Sequence, residues 1–244
     1  MERAYIYGDS LLKATVPDAA MRYHFHLSEV MAQYPTERLE VVNRAKMGST
    51  ISKGLSLVEH DVARGMDARW ALVAYGGNDS DFDWASIAAD PEGDHRPRTE
   101  LPEFLSKLKQ TVTELARVGV QPVLMTLPPI DGARYLDYIC RGGLNRDSIM
   151  RWLGDVGCIY RYQELYSDTV ASFAMREGLP LIFYMFTDMK TQSTDLMFYG
   201  HNAEEIIRDA FHVEPEGNIA KLPGVVSRKK QLIPPLLAAL QARQ

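Results

Sequence analysis

Ser10 closes the tripeptide Gly8-Asp9-Ser10, which follows the apolar run Arg3-Ala-Tyr-Ile-Tyr7. A hydroxyl at the carboxyl end of a strand lies where open α/β sheets bind ligands. Such a hydroxyl attacks a carbonyl only when a base takes its proton. Asp209-Ala-Phe-His212 places an acid three residues before a histidine. That pair suits acyl transfer, with imidazole as the proton acceptor and carboxylate as its orienting partner. Two glycine-bearing turns complete the candidates. In Asn43-Arg-Ala-Lys-Met-Gly48 the glycine lets a backbone N–H approach a ligand closely, and in Gly76-Gly77-Asn78-Asp79 the Asn78 amide can donate to an oxyanion. Each has a plain structural counterpart: a capped turn, a surface carboxylate near a satisfied histidine, a strand-to-helix turn and a β-turn.

The elements that must position these residues are short apolar runs rich in Val, Ile and Tyr. Strands are expected at 3–7, 39–43, 71–75, 121–126 and 179–184. Runs of this kind suit parallel strands buried on both faces. Residues 28–34 fit part of a helix. At 101–118 the residues Leu101, Phe104, Leu105, Leu108, Val112 and Leu115 recur at helical spacing, and Gly119 stops the helix. Residues 159–177 form another, ending at Gly178, and 232–242 a last one whose start is confined by Pro234-Pro235. Alternating strand and helix predict one doubly wound, mostly parallel α/β domain over residues 1–244. Residues 79–102, with Trp84, and 187–208, with Met189, Met197, Phe198 and Tyr199, fit neither pattern. Both follow expected strands, so both are expected as insertions at the edge that carries Ser10.

Composition narrows the function. The chain has 244 residues, 46% hydrophobic and 24% charged, with a net charge of -5, and this balance is ordinary for a globular domain. No basic stripe points to nucleic acid, and Arg228-Lys229-Lys230 is read as a solvated face. Cys140 and Cys158 make no disulfide framework and fit no zinc spacing; His24-x-His26 lacks a third ligand. Neither a dinucleotide fingerprint nor a phosphate-binding loop is present. Neither metal nor cofactor is therefore expected. The chain enters a strand directly after Met1-Glu2-Arg3 and has no apolar run of bilayer length, so a cytoplasmic protein without stable membrane insertion is expected.

Taken together, Gly8-Asp9-Ser10, the Asn43–Gly48 stretch, Gly76-Gly77-Asn78-Asp79 and Asp209-Ala-Phe-His212 resemble the four ordered blocks of the SGNH hydrolases, also called GDSL esterases and lipases. The resemblance runs from Gly8 to Gly217. Leu11-Leu12 follows the serine where the family keeps Ser-Leu, Ala45 stands where a glycine is common, and His212 precedes Val213-Glu214 where Pro-Asn is usual. The resemblance implies a three-layer α/β/α, flavodoxin-like fold with a five-stranded parallel sheet. It implies Ser10 as nucleophile, His212 as general base, Asp209 as orienting acid, and an oxyanion hole from the Ser10 and Gly48 N–H groups with the Asn78 side chain. Asp9 braces the turn. Asp9, Trp84 and His201 are candidates for the pocket lining, and His201 also competes with His212 as base. The implied activity is hydrolysis of a small-molecule carboxylic ester, acyl or acetyl, through an acyl-enzyme. The alternatives are long-chain lipolytic, lysophospholipase or thioesterase activity, or a non-catalytic binding module on the same fold.

Overall fold

A computed structural model describes residues 2–13, 15–17, 22–25 and 39–182. Strand β1 (Glu2–Gly8) runs into a 3-10 turn, Leu11–Lys13, followed by the short antiparallel pair β2 (Thr15–Pro17) and β3 (Tyr23–Phe25). Then come β4 (Leu39–Asn43), α1 (Ile51–Ala63), β5 (Trp70–Ala74), α2 (Trp84–Ala89), α3 (Leu101–Arg117) and β6 (Gln121–Met125). Helices α4 (Gly132–Cys140), α5 (Arg146–Leu153) and α6 (Gly157–Glu177) precede β7 (Leu181–Ile182). The strands expected at 39–43 and 121–126, and the helices at 101–118 and 159–177, are observed to within two residues. The helices expected at 28–34 and 232–242, and the insertion at 187–208, lie outside the described residues.

The main sheet has the order β4-β1-β5-β6-β7, and every neighbouring pair is parallel. The order reverses around β1, so the crevice beyond β1 and β5 is the topological switch point, the usual ligand site of such sheets. Alternation along β1 divides the core. Tyr5 and Tyr7 join Val73, Leu124 and residues of α1, α3 and α6, including Val58, Leu108 and Tyr166. Ile6 belongs to a second cluster with Trp70, Ala74, Val123 and Met125 on the opposite face. A third cluster at the edge joins Phe82, Trp84 and Ile87 to Leu136, Ile149 and Ile159. Residues 79–102 are thus not an irregular insertion throughout. They contain α2, whose first turn is capped by Asp83 accepting the Ser86 N–H, and its Ile87 is fully buried.

Two contacts fix α1 against the sheet. Gly54 faces the ring of Tyr75, and a Cβ there would sit 2.3 Å from Tyr75 Cε2. The missing side chain permits the close approach of helix and strand. At the helix start Thr50 supplies no side-chain cap; Asp79 does so from the loop after β5, accepting the Ile51 N–H at 3.0 Å. Asp79 is fully buried, and burial pushes its carboxyl up to about 6 from an ordinary 3.8, against the opposing hydrogen bonds of Thr99 and Ile51.

Gly54→Ala should destabilise the protein by about 1–2 kcal/mol, because overpacking against Tyr75 outweighs the gain in helix propensity. Urea unfolding measures this, and an unchanged midpoint would show that the ring yields freely. Asp79 binds its proton more tightly folded than unfolded. Its contribution to stability is therefore complete below about pH 3.8 and is lost as pH rises through about 6. Asp79→Asn should accordingly gain stability relative to the parent between pH 4 and 7.5, by up to about 3 kcal/mol. Parallel stability curves across that range would refute the assignment.

Candidate functional site

Gly8-Asp9-Ser10 leaves the carboxyl end of β1, and Gly76-Gly77-Asn78 leaves that of β5, one on each side of the switch point. The first turn is held from within. Asp9 Oδ1 accepts the Leu11 N–H at 2.9 Å, and the Ser10 carbonyl accepts the Lys13 N–H at 3.2 Å. Gly8 packs under Leu12, with its carbonyl taking the Lys46 N–H at 3.0 Å. The ladder between β1 and β4 therefore continues into the stretch that leads to Gly48. Ser10 itself is half-buried, and its hydroxyl has no partner among the described residues.

Asn78 joins the three segments. Its Nδ2 donates to the Ser49 carbonyl at 3.0 Å and lies 3.3 Å from Asp9 Oδ2. One side chain thus ties the turn after β5 to the residue after Gly48 and to the residue before Ser10. Gly48 has φ 65 and is exposed at the same edge. Gly76, with φ 133, turns the chain directly after Tyr75, where the side chain of Leu127 leaves only 3.1 Å for a Cβ. Any other residue would be strained there in both backbone and packing.

The electrostatics beneath Ser10 are unusual for a surface turn. Asp9 is 7% exposed, and burial, reinforced by the negative charge of Asp79 and opposed by the Leu11 N–H, raises its carboxyl to about 6. The Tyr75 hydroxyl, buried with no hydrogen-bond partner among the described residues, is pushed upward by burial and by both carboxylates. Asp9 is directed into the protein as a brace and does not face solvent as a pocket wall.

Beside Asn78 lies a pocket of about 30 Å³ walled by Phe82, Trp84, Tyr135 and Tyr162. Its aromatic walls are locked. The Trp84 indole donates to Asp81 at 2.8 Å, and the Phe82 ring meets Tyr162 edge-on at 4.8 Å and Trp152 at 4.9 Å. Arg98 reaches the same Asp81 carboxylate at 3.4 Å. The sequence signalled Trp84 but not Tyr135, Tyr162 or Gln163, which also line this space. Gln163 was legible as a polar residue on the buried stripe Ile159, Gln163, Tyr166, Val170 of α6.

A second, wider groove of about 710 Å³ runs between the stretch after β4 and α1. It gathers Lys13, Arg44, Lys46, Lys53 and His60. Within it Arg44 forms a two-pronged pair with buried Asp61, at 2.9 Å on both oxygens, while Tyr7 donates to the same carboxylate at 2.9 Å.

Asp209, His212 and His201 lie outside the described residues. The described histidines His24, His60 and His95 make no hydrogen bond to Ser10. Cys140 and Cys158 are half-buried free thiols. Among the described residues no group of three or more His, Cys, Asp or Glu side chains is placed to hold a metal ion. No helix among them is long and apolar enough to cross a membrane.

Comparison with known proteins gives two different likenesses. Residues 156–239, about a third of the chain, match the model of the DHHA2 domain. Curated proteins match part of the chain in sequence. A probable manganese-dependent inorganic pyrophosphatase of Bacillus cereus is 34% identical over 88 residues, covering 36% of this chain and 28% of that protein. A manganese-dependent inorganic pyrophosphatase of Methanocaldococcus jannaschii is 42% identical over 60 residues, covering 25% and 19%. The chain thus spans less than a third of the length of these relatives. The matched stretch begins at the N-cap of α6 and contains His201, Asp209 and His212. Solved structures give the other likeness. A psychrotrophic esterase from Pseudoalteromonas sp. superposes with a TM-score of 0.52 at 15% identity, over 86% of this chain and 93% of that one. A lipase/acylhydrolase from Enterococcus faecalis gives 0.51 at 16%, over 85% and 92%. A GDSL-like lipase from Bacteroides thetaiotaomicron gives 0.52 at 11%, over 85% and 84%. With the strand order β4-β1-β5-β6-β7 and Gly8-Asp9-Ser10 and Asn78 at its switch point, the fold is that of the SGNH, or GDSL, esterases and lipases.

Proposed function

We propose that this chain hydrolyses a small carboxylic ester through an acyl-enzyme on Ser10. The observation that carries the reading is the Asn78 bridge. It brings the residue before Ser10, the residue after Gly48 and an amide donor to one point at the carboxyl edge of the sheet.

In this reading a histidine takes the Ser10 Oγ proton as Oγ bonds to the ester carbonyl carbon. The carbonyl π electrons move onto oxygen, where the Ser10 and Gly48 N–H groups and the Asn78 amide stabilise the charge. The tetrahedral species collapses, the alcohol leaves with the proton from the histidine, and the acyl group stays on Oγ. Water then repeats the sequence and releases the acid. For Asn78 to reach the oxyanion, one of its N–H groups must turn from Ser49 or Asp9, so the hydrogen bonds now holding it set its starting orientation. The base is His212, oriented by Asp209, with His201 as competitor.

A second reading is favoured by the match at 156–239. Curated proteins that match part of this chain are named as manganese-dependent inorganic pyrophosphatases, so phosphate chemistry is the competing candidate. The described residues offer no cluster of three or more His, Cys, Asp or Glu side chains that would hold the manganese ion.

Ser10→Ala should lower p-nitrophenyl acetate hydrolysis by about 10³-fold or more, and a fluorophosphonate probe should label Ser10 in the parent. Turnover that survives the substitution would rule out the serine route. Asn78→Ala should cost about 10²–10³-fold in kcat. His212→Ala and His201→Ala, assayed side by side, identify the base by which one abolishes turnover; full activity in both would place it elsewhere. Release of phosphate from pyrophosphate with Mn²⁺, undiminished in Ser10→Ala, would favour the second reading.

A further inference from the structure

We propose that Gln163 is a specificity-determining residue of the Ser10 site, selecting a short acyl group that carries a hydrogen-bonding atom; this rests on the ester reading above. An acyl group whose carbonyl oxygen is held by the Asn78 amide has the pocket beside it as its neighbouring space, because Asn78 is part of the pocket wall. The pocket volume, about 30 Å³, holds a group the size of about one or two waters. That suits two heavy atoms beyond the carbonyl and excludes an alkyl chain. Enlargement is resisted because the walls are tied to one another: Trp84 to Asp81 by a hydrogen bond, and Phe82 to Trp152 and Tyr162 by edge contacts.

The chemistry of the lining then chooses among short groups. Gln163 is 8% exposed and lines this pocket, and among the described residues no hydrogen bond satisfies its amide. Its neighbours one helical turn away along α6, Ile159 and Tyr166, are buried apolar or aromatic residues. The amide is therefore open only to the pocket and the water that enters it, and a ligand atom that pairs with it there gains a hydrogen bond in an otherwise apolar surround. The amide can donate to, or accept from, a hydroxyl on the acyl group. An acyl group of the same size that ends in a methyl leaves the amide unpaired. Sites built around a substrate hydroxyl discriminate strongly against such analogues. The class of substrate is therefore a short hydroxyacyl ester.

The test uses an isosteric pair, the p-nitrophenyl esters of glycolate and propionate, which differ by hydroxyl against methyl. The full chain should prefer glycolate by about 10–100-fold in kcat/KM after correction for the intrinsic reactivity of each ester. Gln163→Leu should erase that preference. A ratio near one in the parent, a ratio unchanged by Gln163→Leu, or octanoate turned over as fast as glycolate would overturn the proposal. Binding is read separately on Ser10→Ala, by tryptophan fluorescence during titration with methyl glycolate and methyl propionate. Preference for the glycolate there, with no Ser10-dependent turnover in the parent, refutes the serine mechanism and retains the pocket. Serine-dependent turnover with equal binding of both esters refutes the pocket and retains the mechanism.

Discussion

Asp79 is the point on which the candidate site hangs. Its carboxylate closes the first turn of α1, its side chain is hydrogen-bonded to Thr99, and its own carbonyl accepts the Thr99 N–H at 3.1 Å. Three segments far apart in sequence are joined at a group that has almost no contact with solvent. The residue just before it is Asn78, so any displacement of the Asp79 backbone moves the candidate oxyanion donor as well. Burying a carboxylate is costly unless several donors meet it, and here the helix N–H, whose partial positive charge lies at the start of α1, is one of them. The arrangement exchanges solvation for position.

Topology supplies the rest. A parallel sheet whose order reverses at β1 leaves a crevice that no crossover fills, and the two turns bordering it are those after β1 and β5. Asp9 converts that proximity into register: it accepts from its own turn at Leu11 and lies within reach of Asn78 across the crevice. The charge of Asp79 also disfavours ionisation of Asp9, and the Tyr75 hydroxyl lies in the field of both. The base of the site is therefore polar and buried, with the Tyr75 hydroxyl unpartnered among the described residues, a state that a folded protein maintains only with a well-packed surround such as the Tyr75–Gly54 contact.

Much of this was readable from residue order. The five strands were legible because parallel strands covered on both faces are uninterrupted apolar runs, and α3 because its stripe is regular and ends at Gly119. The turns carrying Ser10 and Asn78 were legible from glycine, aspartate and asparagine at strand ends. Helix α1 escaped notice because its cap comes from Asp79, twenty-eight residues away in sequence, and not from Thr50. Residues 79–102 read as an insertion because Asp and Pro dominate, yet Phe82, Trp84 and Ile87 bury themselves in a cluster completed by α4, α5 and α6. Such a cluster is assembled from separated helices and leaves no local period. Gln163 shows the opposite situation: the signal was present as a polar break in an apolar stripe, but its meaning depended on a cavity that only packing reveals.

The groove around Arg44 has a consequence for encounter kinetics. The chain as a whole carries a net charge of -5, yet Lys13, Arg44, Lys46 and Lys53 converge here with one buried acid, Asp61, among them. The described surface therefore has a local field of the opposite sign to the molecule's net charge. At physiological ionic strength charge is largely screened beyond about a Debye length, roughly 8 Å, so an approaching anion meets the field of the groove and scarcely feels the net charge of the molecule. Lowering the salt extends the reach of the net negative charge and so slows the encounter that the groove favours at close range.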